Sequence, residues 1–476
     1  MSKFRALLPI LQRHHWLIAG VFLGIYTWLS YRRYFSPFSL IIHLVVLAVI
    51  SAWASWKVLR RERLVLSPLT WPMVAFLGSV TVSTFLSMDM RRSFDMLLTS
   101  TALVLFFFLF CDLLRIGWKR QSFISLILCT ATFLMGIGVW ETLAHYWSWW
   151  QLRTLDYPTF PITFRLFNVT DHPNVLAGLL NLALPFAIIR LATSQSRWER
   201  GWWVSWLLVF DLMLVFTRSR GGMVAAMAVI GVTVFGLMLY RGGAPSPADI
   251  LNMKAWSRKR VGGWLRNTSR IWGTTLVYVA LFVFFKNAGA LWTMFFETYQ
   301  QTGFSTNAGD TISKALTGHR MVFWGVAWEM FLNHPLVGSG PLTFGHHFVE
   351  ELPAVRFWSL NHAHSLYVET LATQGIVGIA ALGWMILAGA VAFMRTLIVS
   401  TPSPHVDTTT WGEHHLIIIA VCGGLAGYLT HALVDLPGTV IRTIDLFIML
   451  SCALGMHAAG VLHLPPRPML SRWTGL

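Results

Sequence analysis

Runs of about twenty consecutive, mostly apolar residues recur along the whole 476-residue chain, and no other feature restricts its fold so strongly. A run of that length just crosses a hydrocarbon core of about 30 Å. Inside that core every backbone N–H and C=O must be bonded within the protein, so each run is expected to be a helix. About twelve spans are expected, near 16–30, 38–56, 69–87, 96–114, 121–142, 174–191, 202–217, 221–240, 271–286, 365–394, 414–434 and 443–463. Charged residues are 12% of the chain, against about 25% in a soluble globular protein, and 55% are hydrophobic. The expected class is therefore an all-α, polytopic membrane protein. The basic start MSKFRALLPILQRHHW resembles a signal peptide but lacks a small-x-small cleavage site, so it is expected to stay as the first span.

The net charge of +16 does not point to nucleic acid, because the basic residues form short clusters between apolar runs and not one stripe. With both termini in the cytoplasm, the cytoplasmic segments hold 23 of the 36 Lys and Arg residues and the outer segments the other 13. That orientation leaves two long outer segments, 143–173 and 287–361, and divides the chain into spans one to nine (1–286), a large outer loop (287–361) and spans ten to twelve (362–476). The basic loop 241–270 reads as a topology anchor. Trp147, Trp149, Trp150, Trp202 and Trp203 gather at span ends, where indoles prefer to sit. Within the large loop, Val322, Trp324, Trp328 and Phe331 have helical spacing, which predicts an interfacial helix from Gly318 to Asn333 followed by a GSGP turn. Cys111, Cys129, Cys422 and Cys452 all lie in apolar runs and read as small core residues, neither disulfides nor metal ligands.

Chemistry-bearing residues collect at the outer ends of the spans. Thr217-Arg218-Ser219-Arg220-Gly221-Gly222 forms a tight outer turn with two guanidiniums, whose planar forks suit diphosphate oxygens; its glycines would let a ligand approach closely. The competing reading is a helix hairpin whose arginines snorkel to lipid headgroups. Arg320 lies on the interfacial helix with His319 beside it. The string Asn361-His362-Ala363-His364-Ser365 opens the tenth span, and an imidazole there could accept a proton near neutral pH. The two-residue spacing keeps His362 and His364 off one helical face, so one of them at most is expected to be the base. The string has no third ligand at metal-site spacing. Asp435 lies at the outer end of the eleventh span, within reach of the same mouth; Glu369 follows His362 by two turns and lines the cavity. Asp211, mid-span, is costly there unless paired or protonated, and reads as structural or as part of a transport path.

Taken in order, DHPNVLAG (171–178), FTRSRGG, GHR…NHPLVGSGPLTF, NHAHSLYVETLATQGIVG and HALVDLP (431–437) make the chain resemble the O-antigen ligase and polymerase superfamily over roughly 165–440. The resemblance implies a metal-independent, cofactor-free, inverting glycosyltransferase of the GT-C type in the bacterial inner membrane. It implies a donor glycan on a polyprenyl diphosphate, a lipid or glycan acceptor such as lipid A-core, and a site on the outer face. Carried over by motif, Arg220 and Arg320 would hold the diphosphate with Arg218 beside them, and His364 would be the base. Asn174 and Asp435 would be supporting residues. Ser365 stands where the family more often has Asn, and His362 is a competing imidazole. A polymerase or a protein-glycosylating enzyme would use the same donor. A small-anion transporter is the non-enzymatic alternative, and it should carry its ionisable groups near the bilayer midplane.

Overall fold

The computed structural model describes residues 19–25, 27, 37–152, 165–166, 172–241, 320–351, 362–399, 408–436 and 442–464. The ninth expected span, most of the 241–270 loop and the loop segments 287–319 and 352–361 lie outside the described residues. Twelve helices are described at length: α1 (Pro37–Leu59), α2 (Thr70–Phe85), α3 (Met90–Arg115), α4 (Arg120–Leu152), α5 (Pro173–Thr193), α6 (Arg197–Thr217), α7 (Arg220–Arg241), α8 (Arg320–Asn333), α9 (Phe344–Glu351), α10 (Leu366–Val399), α11 (Thr408–His431) and α12 (Arg442–Ala458). Seven of them, α3 to α7, α10 and α11, are long and apolar enough to cross a membrane. The chain is a polytopic helical membrane protein, and no strand occurs among the described residues. Where expected spans are described, most helix ends fall within a few residues of the expected ones. The exception is α4, 33 residues and about 50 Å long, which continues through the aromatic stretch WETLAHYWSWWQL beyond the length a bilayer requires.

The centre of the bundle is α5. It is apolar on all sides and nearly every residue from Pro173 to Ala187 is buried, as expected of a helix with no lipid-facing side. Helices α6, α7 and α11 surround it. The α7–α11 seam is close because small residues lie along it. A Cβ at Gly236 would come within 2.8 Å of Ile419, at Gly427 within 2.2 Å of Val229, and at Gly423 within 2.1 Å of Thr233. Asn181 of α5 donates to the carbonyl of Gly222 at 2.9 Å, which ties the buried helix to the start of α7.

The tenth span differs from its expected form. α10 is broken at Gly375 (φ +64°, ψ −160°), separating a short arm at Leu366–Gln374 from the long arm that follows. The break frees backbone groups, and the segment after α8 satisfies them. Ser339 and Gly340 donate to the carbonyls of Ala372 and Thr373, while Ile376 and Val377 donate to those of Pro335 and Leu336. The two backbones approach so closely that a Cβ at Gly375 would fall 2.4 Å from Leu336, and one at Gly338 would fall 2.1 Å from Thr373. Ser79 and Ser83 of α2 complete the lock by donating to Gln374 Oε1 and the Thr373 carbonyl. The HPLVGSG segment is thus the other half of the helix break, and it fixes the angle at which the short arm presents the histidines.

Candidate active site

All residues of the TRSRGG turn except Arg220 have a structural task. The Thr217 hydroxyl closes α6 by donating to Leu214 O, and Arg218 takes the left-handed conformation (φ +52°) that ends the helix. Ser219 caps α7, its hydroxyl accepting from the Gly222 N–H at 3.1 Å. Arg218 and Arg220 are consequently exposed while Thr217 and Ser219 are buried. The glycines were expected to admit a ligand; they admit protein instead. A Cβ at Gly222 would meet Ala177 of α5 at 2.5 Å, and one at Gly221 would meet Val434 at 2.8 Å and the His431 ring at 2.9 Å. The turn is therefore seated on the C-terminal end of α11.

That end carries Asp435, four residues past His431 and buried. Its Oδ1 lies 3.2 Å from Nδ1 of His364 and accepts from the Leu436 N–H at 2.8 Å, and its Oδ2 accepts from the Asn174 amide. Burial disfavours the carboxylate. The hydrogen bond from His364 and the imidazoles of His431, His364 and His172 outweigh it, holding the carboxyl well below the usual range. Asp435 is ionised at neutral pH.

His364 itself is left-handed (φ +54°), an uncommon conformation for a residue with a Cβ, and local contacts fix it there. Its N–H donates to Nδ1 of His362 at 3.2 Å, its ring lies 4.3 Å from the His362 ring, and Phe323 of α8 covers it at 5.4 Å. Two further hydrogen bonds hold Ala363 between the histidines. Its N–H donates to Glu369 Oε2 at 2.7 Å, and its carbonyl accepts from the Trp324 indole at 3.1 Å. Glu369 thus braces the loop, where the sequence suggested a cavity wall. His362 is held neutral: burial, then the neighbouring His364 and His172, push its pKa down to about 3. With Nδ1 engaged by backbone, His362 is a poor proton acceptor.

Arg320 is the first residue of α8, one turn before Phe323, and it acts electrostatically on His431 together with Asp435 and His172. The structure therefore gathers His362, His364, Asp435, Asn174, Glu369 and Arg320 into one cluster, with the Arg218–Arg220 turn docked on it through Gly221. His172 and His431 also belong to it. Their one sequence signal is an aspartate nearby, next to His172 in DHPN and four residues after His431 in HALVD. Among the described residues neither Arg220 nor Arg320 has an ion-pair partner, and no three His, Cys, Asp or Glu side chains converge in a way that could hold a metal ion.

A separate cavity of about 620 Å³ opens along the end of α4, lined by Trp140, Tyr146, Trp147 and Trp150. It borders the turn rather than the histidines, since the Tyr146 ring lies 6.3 Å from Phe216, next to Thr217. Compared with known proteins, residues 203–383 match the family model described as O-antigen ligase. A search of curated proteins gives no match. The matched stretch runs from α6 into the long arm of α10, so it includes both arginine segments and both histidines but not Asn174 or Asp435.

Proposed function

We propose, from the premise that residues 203–383 belong to the O-antigen ligase family, that this chain transfers a glycan from a polyprenyl diphosphate to an acceptor hydroxyl by one inverting displacement. The observation that carries the reading is the His364–Asp435 pair lying in one cluster with Arg320 and the Arg220 turn. An ionised Asp435 demands a proton on Nδ1 of His364, which leaves the lone pair on Nε2. Nε2 would take the acceptor's hydroxyl proton as its oxygen bonds the anomeric carbon. The bond from that carbon to the diphosphate oxygen breaks, and the leaving charge stays on the carrier. Arg220 and Arg320 would receive this charge with paired N–H donors in a partly dry site.

The lipid part of the donor fits the same end of the bundle. The aromatic trough on α4 beside Phe216 offers an apolar wall next to the arginine turn, where an isoprenoid chain attached to the diphosphate would have to lie. The opposite end carries Lys57, Arg60, Arg61 and Arg63 before α2, and Arg115, Lys119 and Arg120 between α3 and α4. By the positive-inside rule this charge distribution supports the reading that the cluster faces the outer side of the inner membrane. The acceptor is proposed to be a lipid-linked core glycan, with chain extension as the second reading. Deleting the gene and examining glycan on the carrier tests both. Long chains retained on the carrier indicate a ligase, single repeat units a polymerase, and unchanged glycan refutes transfer from this donor.

A further inference from the structure

His431 is the one imidazole of the cluster that is 1% exposed with neither ring nitrogen hydrogen-bonded. A buried N–H without an acceptor is costly, and such groups in native proteins usually have a partner. The described residues supply none here. The carboxylate that acts on it, Asp435, already accepts from His364, Asn174 and Leu436 N–H. The ring is also aimed. It lies over the Cα of Gly221, where a Cβ would sit 2.9 Å from Cδ2 and 3.2 Å from Nε2. Gly221 directly follows Arg220, and Arg320 acts on the ring from α8. An N–H beside the Arg220 turn and within the electrostatic reach of Arg320, two arginines with no ion-pair partner among the described residues, is poised for an anion's oxygen.

We infer that His431 is a third hydrogen-bond donor to the donor's diphosphate, its ring N–H reaching an oxygen of the group held by Arg220 and Arg320. The inference rests on the proposed donor site and extends it with a residue outside the family-matched stretch. No bond is made or broken by His431. It binds the diphosphate before transfer and shares the leaving charge afterwards. Gly221 follows as a requirement, because any side chain there would push the ring away from the arginine turn.

The test uses the full chain in lipid nanodiscs and measures its affinity for undecaprenyl diphosphate, with the ligand-free melting temperature recorded for every variant. His431→Phe keeps the ring's bulk and removes the donor; His431→Gln keeps an N–H. Phe should weaken binding about 10- to 100-fold, the range for a lost bond to a charged group, while Gln stays much closer to wild type. Neither should melt lower than wild type, since no protein hydrogen bond is lost. If Phe binds as tightly as wild type while Arg220→Ala loses binding, the diphosphate site stands and the His431 assignment falls. Equal weakening by Phe and Gln with lowered melting temperatures assigns His431 to packing and also overturns it. If Arg220→Ala and Arg320→Ala bind like wild type, the donor site itself is refuted and the inference with it.

Discussion

At the end of the bundle away from the histidines, Asp112 of α3 is bound by Lys57 at 2.6 Å and by the Trp53 indole at 2.9 Å. Lys57 in turn reaches Glu62 and the Arg63 carbonyl, so all the partners belong to the protein and the cluster closes on itself. At the other end Asp435 is equally buried, but its surroundings are left open. Arg220 is exposed, and His364 is held in a strained backbone conformation; among the described residues Arg320 has no acidic partner and His431 no acceptor. Both regions bury a carboxylate beside cationic or titratable groups, and burial alone does not distinguish them. The difference is unused bonding capacity. A cluster that satisfies itself fastens helices, whereas one that holds donors and a lone pair without partners is prepared for something absent from the chain.

The comparison breaks most visibly if the open cluster can be emptied without effect. His364→Ala should lower transfer about 10²- to 10⁴-fold while donor binding persists, measured with purified protein, a lipid-linked glycan and an acceptor fraction. Arg220→Lys should cost about 10²-fold, because ammonium keeps the charge but not the fork, and Arg320→Lys should follow it. Arg218→Lys should be milder, since Arg218 is the left-handed cap of α6 and its neighbour starts α7. At the closed end the signature should invert. Lys57→Met should destabilise the chain by about 3–5 kcal/mol by stranding Asp112, with the folded fraction as active as wild type. Melting in nanodiscs together with specific activity would show this. A dead but fully stable Lys57→Met would mean that the closed cluster also serves the reaction.

The smallest effect concerns His362. Folding keeps it neutral down to about pH 3, whereas in the unfolded chain it takes a proton below about 6.5. Its contribution is therefore complete above pH 6.5 and is lost as pH falls from there toward 3. His362→Gln should flatten the acid side of the melting-temperature profile over that window. Transfer by this variant should fall only modestly, and a complete loss would make His362 the base.

The architecture was legible because the membrane imposes it: twenty-residue apolar runs must become helices, and most described ends lie close to the expected ones. The proposed site was legible as separate strings, since His364, Arg220 and Arg320 each stand out by type and position. What joined them was not. Asp435 is 71 residues from His364, and reach from one span end to another is a tertiary fact that periodicity does not encode. The break at Gly375 was hidden for a related reason, as a single glycine in an apolar run signals nothing until the HPLVGSG segment is seen supplying its backbone bonds. What Glu369 braces, and that His431 joins the cluster, depend on which neighbour is already engaged, and the sequence does not carry that.

Asp435→Asn offers the most direct measurement, because it keeps size and burial and removes the charge that His364 faces. The amide must turn its nitrogen toward either His364 Nδ1 or Asn174 Nδ2, both donors, so the imidazole meets either an opposed donor or a neutral carbonyl oxygen in place of the carboxylate that fixes its tautomer and stabilises its protonated form. In a hydrolytic triad the same change costs about 10⁴-fold in kcat with the geometry intact. If His364 is the base oriented by Asp435, kcat for glycan transfer should fall at least about 10²-fold with the donor KM and the melting temperature nearly unchanged. Transfer at the wild-type kcat by a folded Asp435→Asn protein would contradict that assignment.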